Sequence, residues 1–126
     1  MIHGIGTDIV RIARIRHALD RHGERFAHRI LAASERDAWA ASADPARFLA
    51  KRFAAKEAFG KALGTGVAAP ATLHAVAVGH DAAGKPEFRY GENLAAYLGE
   101  RRLGAHLSLS DEDEYVIAFA VIDHRP

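Results

Sequence analysis

The sequence predicts an α+β domain with a mostly antiparallel sheet and packed helices. Two observations carry that expectation. Apolar residues recur at helical spacing through much of residues 12–63, and the pattern stops at Gly64-Thr65-Gly66. Residues 67–126 instead hold short runs of strand-forming residues, joined by turn-forming segments at Gly84-Lys85-Pro86 and Asp111-Glu112-Asp113-Glu114. A chain of 126 residues has room for one core, so one domain over residues 1–126 is expected.

Taken in order, residues 2–10 (IHGIGTDIV) read as a short strand ending near Asp8. Glycine weakens a strand, so Gly4 and Gly6 indicate close approach of another backbone or of a ligand. Ile12, Ile15 and Leu19 then recur at helical spacing, and Phe26 and Ile30 resume a helix after Gly23. Ser34 followed by Asp37 reads as a capping-box variant opening a short helix through Trp39. Asp44-Pro45 supplies an N-cap acid and a first-turn proline, the start of a helix through Phe48, Phe53 and Phe59. Residues 72–79 read as a strand, 80–86 as a turn and 87–90 as a returning strand. Residues 92–102 read as a helix ended by Gly104, and 105–110 and 115–123 as the last two strands.

Composition narrows the function classes. The chain has no cysteine, which excludes disulfides, thiolate zinc sites and cysteine nucleophiles. No apolar run approaches the ~18 residues of a membrane span, and no signal peptide is visible, so a cytoplasmic location is expected. Residues 1–66 hold 12 Lys and Arg against 7 Asp and Glu, a balance of +5; residues 67–126 hold 5 against 9, a balance of −4. The front half suits an anionic partner or is simply a solvated face. A basic module binding RNA or an acidic protein is one alternative to an enzyme. Against RNA, no aromatics interleave with the basic residues and no nucleic-acid motif is present, so no nucleic-acid partner is expected.

The segment ARFLAKRFAAKEAFGKALG concentrates the chemistry. Leu49, Phe53, Glu57 and Lys61 are spaced by four and form one row that begins apolar and ends charged. Glu57 also falls in the last two turns, where the helix dipole disfavours an anion. An ordinary Glu57–Lys61 ion pair is one reading; a metal on Glu57 and a phosphate on Lys61 is the other. Magnesium takes one or two carboxylates and completes its shell with water and substrate phosphates. Asp8 is the natural second carboxylate, or else a turn acid before the first helix. Gly64-Thr65-Gly66 offers backbone N–H groups to an anion, or serves only as a helix C-cap.

The segments GIGTDIVRIARI (4–15) and FLAKRFAAKEAFGKALGTG (48–66) closely resemble the two signatures of the holo-[acyl-carrier-protein] synthases, small phosphopantetheinyl transferases of fatty acid biosynthesis. The turn Gly84-Lys85-Pro86 and the stretch HLSLSDEDEYVIAFAVI (106–122) are similar as well, so the likeness runs along essentially the whole chain. It implies a small transferase fold in which Asp8 and Glu57 bind Mg2+, with coenzyme A as substrate. The serine of an apo-acyl carrier protein attacks the phosphate next to pantetheine, and adenosine 3',5'-bisphosphate leaves. The resemblance implies catalytic roles for Glu57 and Lys61, with the serine's base left between Glu57 and a magnesium-bound water. It assigns Arg52, Lys61, Gly64, Lys85, Pro86 and Ser110 to coenzyme A, and Arg14 to the acidic helix of the carrier. It also implies a homotrimer with sites between subunits: Asp8, Glu57 and Lys61 from one chain, Lys85 and the Ser108–Ser110 strand from its neighbour. One position departs from the family. Asp111 stands where relatives often carry histidine, and an ionised acid cannot donate to a phosphate. His106 has the opposite pleat phase and is no ready substitute.

Overall fold

A computed structural model describes residues 1–126. Five strands form two antiparallel sheets. Strands β1 (Ile2–Arg11), β5 (Tyr115–His124) and β4 (Leu103–Asp111) lie in the order β1-β5-β4, and β2 (Val76–His80) pairs with β3 (Pro86–Tyr90) in a separate hairpin. The helices are α1 (Ile12–His22), α2 (Glu24–Ile30), α3 (Arg36–Ala40), α4 (Pro45–Leu63) and α5 (Glu92–Glu100), with a 3-10 turn at Ala33–Glu35. The fold is α+β with antiparallel pairing throughout, divided between two sheets.

Helix α4 is the axis of the molecule. Asp44 caps it, accepting from Arg47 N at 3.2 Å, and Pro45 takes the first turn. Leu49, Ala50, Ala54, Ala55, Ala58, Phe59, Ala62 and Leu63 are all buried, mostly small residues that let strands approach closely. The two glycines of β1 show how closely. A Cβ at Gly6 would lie 2.1 Å from Ala58 O, and one at Gly4 2.0 Å from Ala62 O. The neighbour anticipated at these glycines is therefore the α4 backbone. The helix ends at Gly64 in the left-handed region (φ 96°), where Gly64 N donates to Gly60 O, so glycine serves there as the C-cap.

Pleating divides the larger sheet. Gly4, Gly6, Asp8 and Val10 of β1 face α4 together with Val116, Ala118, Ala120 and Ile122 of β5. Ile5, Ile9, Ile117 and Phe119 point the other way and remain 60%, 61%, 46% and 40% exposed, a run of large apolar side chains on one sheet face.

Three boundaries differ from expectation. The strand expected at 72–79 begins at Val76, because Ala75 N donates to Thr72 O and Oγ1 and closes a turn first. The helix expected through 102 stops at Glu100; Arg102 has φ 53° and turns the chain directly into β4. The Ser34–Asp37 cap does not form. Glu35 Oε1 instead accepts from Ala32 N at 2.9 Å, half of a capping box, since Ala32 has no acceptor of its own.

Candidate active site

Asp8 and Glu57 come from distant segments, and pairing of β1 against α4 brings them together. Lys61 joins them: its Nζ donates to Asp8 Oδ1 at 3.3 Å and to Thr7 O at 2.9 Å. The Glu57–Lys61 ion pair that the spacing allows is absent, and Lys61 spends its charge across the sheet contact on Asp8. Burial pushes the Glu57 carboxyl up from the usual carboxylate range, the charge of Asp8 pushes it further, and Lys61 opposes both. Two carboxylates thus lie near one exposed lysine, which pairs with Asp8 alone. That excess of negative charge suits a hard cation, and a set of only two protein oxygens suits Mg2+, which fills its shell from water and phosphate. No third His, Cys, Asp or Glu completes a protein-only cage.

The remaining expected residues divide by place. Arg14 is exposed on α1 and flanks a groove of about 320 Å3 that also involves Ile15, Ala18, Phe26, Arg29, Ile30, Phe53 and Leu73. Its two basic neighbours point elsewhere: Arg11 Nη2 donates to the Tyr115 hydroxyl at 2.8 Å, and Arg16 sits 3.8 Å from Asp44. Lys85 ends the β2–β3 turn, Pro86 begins β3, and both line a depression with His106 and Leu107 of β4. Asp81 shapes that turn, accepting from the backbone N–H of Ala83 and Lys85. Ser110 pairs with Ile117, which pairs with Ile9, and so lies on the sheet face away from Asp8. One chain therefore brings Asp8, Glu57 and Lys61 together and leaves Ser110 on the other side of the sheet.

Arg52 is more enclosed than a surface phosphate ligand. Its Nε is 2.9 Å from Glu35 Oε2, and its guanidinium lies over the Phe48 ring at 4.3 Å. Burial lowers its pKa, and Glu35 opposes the shift. Asp111 faces α4 and forms ion pairs with Arg47 (2.7 Å) and Lys51 (3.4 Å). Burial raises its pKa, but the hydrogen bonds and charges of Arg47 and Lys51 outweigh that and hold the carboxyl below the usual range. Asp111 is thus an ionised clamp between the β4–β5 turn and α4.

Sequence reasoning missed Glu35 and Lys56, both buried. A signal was present: Arg52 and Lys56 are four apart on a helix, a repulsive pair unless an acid lies between them.

The chain matches the model of the 4'-phosphopantetheinyl transferase superfamily over residues 4–120. It is 78% identical over 125 residues to a holo-[acyl-carrier-protein] synthase of Azoarcus sp. (strain BH72), covering 99% of this chain and all of that one. The crystal structure of holo-[acyl-carrier-protein] synthase from Neisseria meningitidis superposes with a TM-score of 0.94 at 47% identity, covering 98% of this chain and 99% of that chain. The Bacillus anthracis synthase, solved in complex with CoA (3',5'-ADP), superposes with a TM-score of 0.83 at 34% identity, covering 99% of each chain.

Proposed function

The chain belongs to the 4'-phosphopantetheinyl transferase superfamily, with the holo-[acyl-carrier-protein] synthases as its relatives, and on that premise we propose the reaction it performs. It transfers the 4'-phosphopantetheine group of coenzyme A to a serine hydroxyl of apo-acyl carrier protein and releases adenosine 3',5'-bisphosphate. The observation that carries this reading is the meeting of Asp8, Glu57 and Lys61 at the contact of β1 with α4. The enzyme acts as one transferase domain over residues 1–126, in the cytoplasm, in fatty acid biosynthesis.

Asp8 and Glu57 would hold Mg2+, which when bound supplies positive charge to the pyrophosphate and to the oxygen that leaves. The protein's own groups do the rest. Lys61, exposed beside Asp8, turns its ammonium to the transferring phosphate and stabilises the charge that builds on the leaving oxygen. Glu57 has the raised proton affinity that a base for the serine proton needs. Lys85, Pro86, Ser110 and Gly64 line the coenzyme. Arg52 contributes its Nη edge, since its Nε side faces Glu35. Arg14, the member of the basic run with neither an ion pair nor a side-chain hydrogen bond within the chain, meets the acidic helix of the carrier.

The functional unit is a homotrimer. The exposed row of Ile5, Ile9, Ile117 and Phe119 supports this, because isolated apolar side chains are normal on a surface but a contiguous patch marks a contact. A three-fold ring uses a heterologous interface, so Ser108–Ser110 and Lys85 of one chain complete the Asp8–Glu57–Lys61 centre of the next.

The test is release of adenosine 3',5'-bisphosphate from coenzyme A. Release that requires both apo-carrier and magnesium is expected. Release without carrier would indicate a hydrolase and overturn the reading.

A further inference from the structure

Lysine is almost never fully buried, because an ammonium loses its water at large cost. Lys56 has 0% of its surface exposed. Its Nζ donates to Ile30 O at 2.7 Å, to Glu35 Oε1 at 2.6 Å and to Leu73 O at 2.8 Å. All three donors are spent. Burial lowers its pKa, and the Glu35 charge opposes the shift. Glu35 is equally occupied, accepting from Ala32 N at 2.9 Å and Val78 N at 3.0 Å besides its two cations. With no donor free for a ligand, Lys56 takes no direct part in chemistry.

What Lys56 joins is more telling. Ile30 ends α2, where a helix leaves carbonyls without partners and favours a cation. Leu73 lies in the connection before β2. Both residues line the groove that Arg14 and Arg29 flank, and Phe53, one turn before Glu57, lines it too. A methionine would fill the volume without the desolvation cost, yet would leave two carbonyls from separate segments untied.

We infer that Lys56 is a positioning residue that ties the Ile30 and Leu73 walls of the Arg14 groove to the helix presenting Glu57, so that a carrier protein seated in the groove meets the Asp8–Glu57 centre in register. This rests on the carrier-docking role proposed for Arg14.

The test is steady-state kinetics of Lys56→Met, varying apo-acyl carrier protein and coenzyme A separately, with Arg14→Glu alongside. Lys56→Met raises the carrier KM by about tenfold and leaves the coenzyme A KM within about twofold. A residue that only supported the fold would lower the active fraction, reducing kcat and moving neither KM. An unchanged carrier KM in folded Lys56→Met, with Arg14→Glu raised, overturns this inference alone. Unchanged carrier KM in both variants overturns the docking role and the inference with it. If Lys56→Met does not fold, hydrogen exchange of the wild-type protein decides. Carrier binding then slows exchange at Ala32 N and Val78 N, the two amides that donate to Glu35, whereas protection confined to α1 and α2 contradicts the inference.

Discussion

Lys61 Nζ lies 3.3 Å from Asp8 Oδ1 across the contact of α4 with β1, and makes no ion pair with Glu57 on its own helix. That geometry separates the two carboxylates by role. Asp8 shares the lysine, while Glu57 holds its charge against burial and against Asp8. In the proposed metal role, Asp8→Ala removes one of the two protein donors and Glu57→Gln replaces a charged carboxylate by a neutral amide oxygen. Asp8→Ala and Glu57→Gln should each lower kcat/KM by at least about 100-fold while circular dichroism stays that of the wild type. Near-normal activity at limiting magnesium would show that the pair does not hold the metal.

The raised Glu57 pKa has a consequence for the metal-free protein. Below the ordinary carboxylate value of about 4.3, both folded and unfolded chains carry the proton and the residue adds no penalty. As pH rises through the folded value, ionisation in the fold costs stability that the unfolded chain does not lose. Metal-free Glu57→Gln should therefore melt higher than wild type at pH 7 and alike below about pH 4. Magnesium should raise the wild-type melting temperature and not that of the variant. Equal melting of both proteins at every pH would remove the electrostatic account of Glu57.

These residues also show what the sequence could and could not convey. The spacing of Leu49, Phe53, Glu57 and Lys61 placed a carboxylate next to apolar neighbours, and the burial gradient along that row follows it. Asp44-Pro45 marked the start of α4 because capping is local chemistry. The identity of the neighbour at Gly4 and Gly6 was not legible, since a close backbone and a close ligand need the same missing Cβ. Glu35 escaped notice because Lys56 and Val78 are 21 and 43 residues away in sequence and meet it only through packing. Thr72–Ala75 passed for strand because a turn closed by a threonine hydroxyl leaves no trace in apolar alternation. Asp111 became interpretable only once Arg47 and Lys51 were seen on either side of it.

Arg14→Glu should raise the carrier KM far more than the coenzyme A KM, because Arg14 flanks the groove and makes no ion pair within the chain. Exposed charges are screened within about 8–10 Å at ordinary ionic strength, so the defect should shrink as salt rises. Equal damage to both KM values, or no salt dependence, would place the carrier elsewhere.

Ser110 and Asp8 lie on opposite faces of the same sheet, so a single chain cannot present both to one phosphate. Sedimentation should show a trimer. Asp8→Ala and Lys85→Glu, each inactive alone, should then rescue one another when refolded together. Random mixing makes about one site in four intact, one-half times one-half across a heterologous contact. Mixed trimers as inactive as the separate variants would rule out sites shared between neighbours.

The most direct measurement is the intact mass of an apo-acyl carrier protein after incubation with this protein, coenzyme A and magnesium. The account predicts a gain of one phosphopantetheine with the wild type and none with Asp8→Ala. A carrier whose mass does not change with the wild type, or changes equally with Asp8→Ala, would contradict a transfer centre built on Asp8, Glu57 and Lys61.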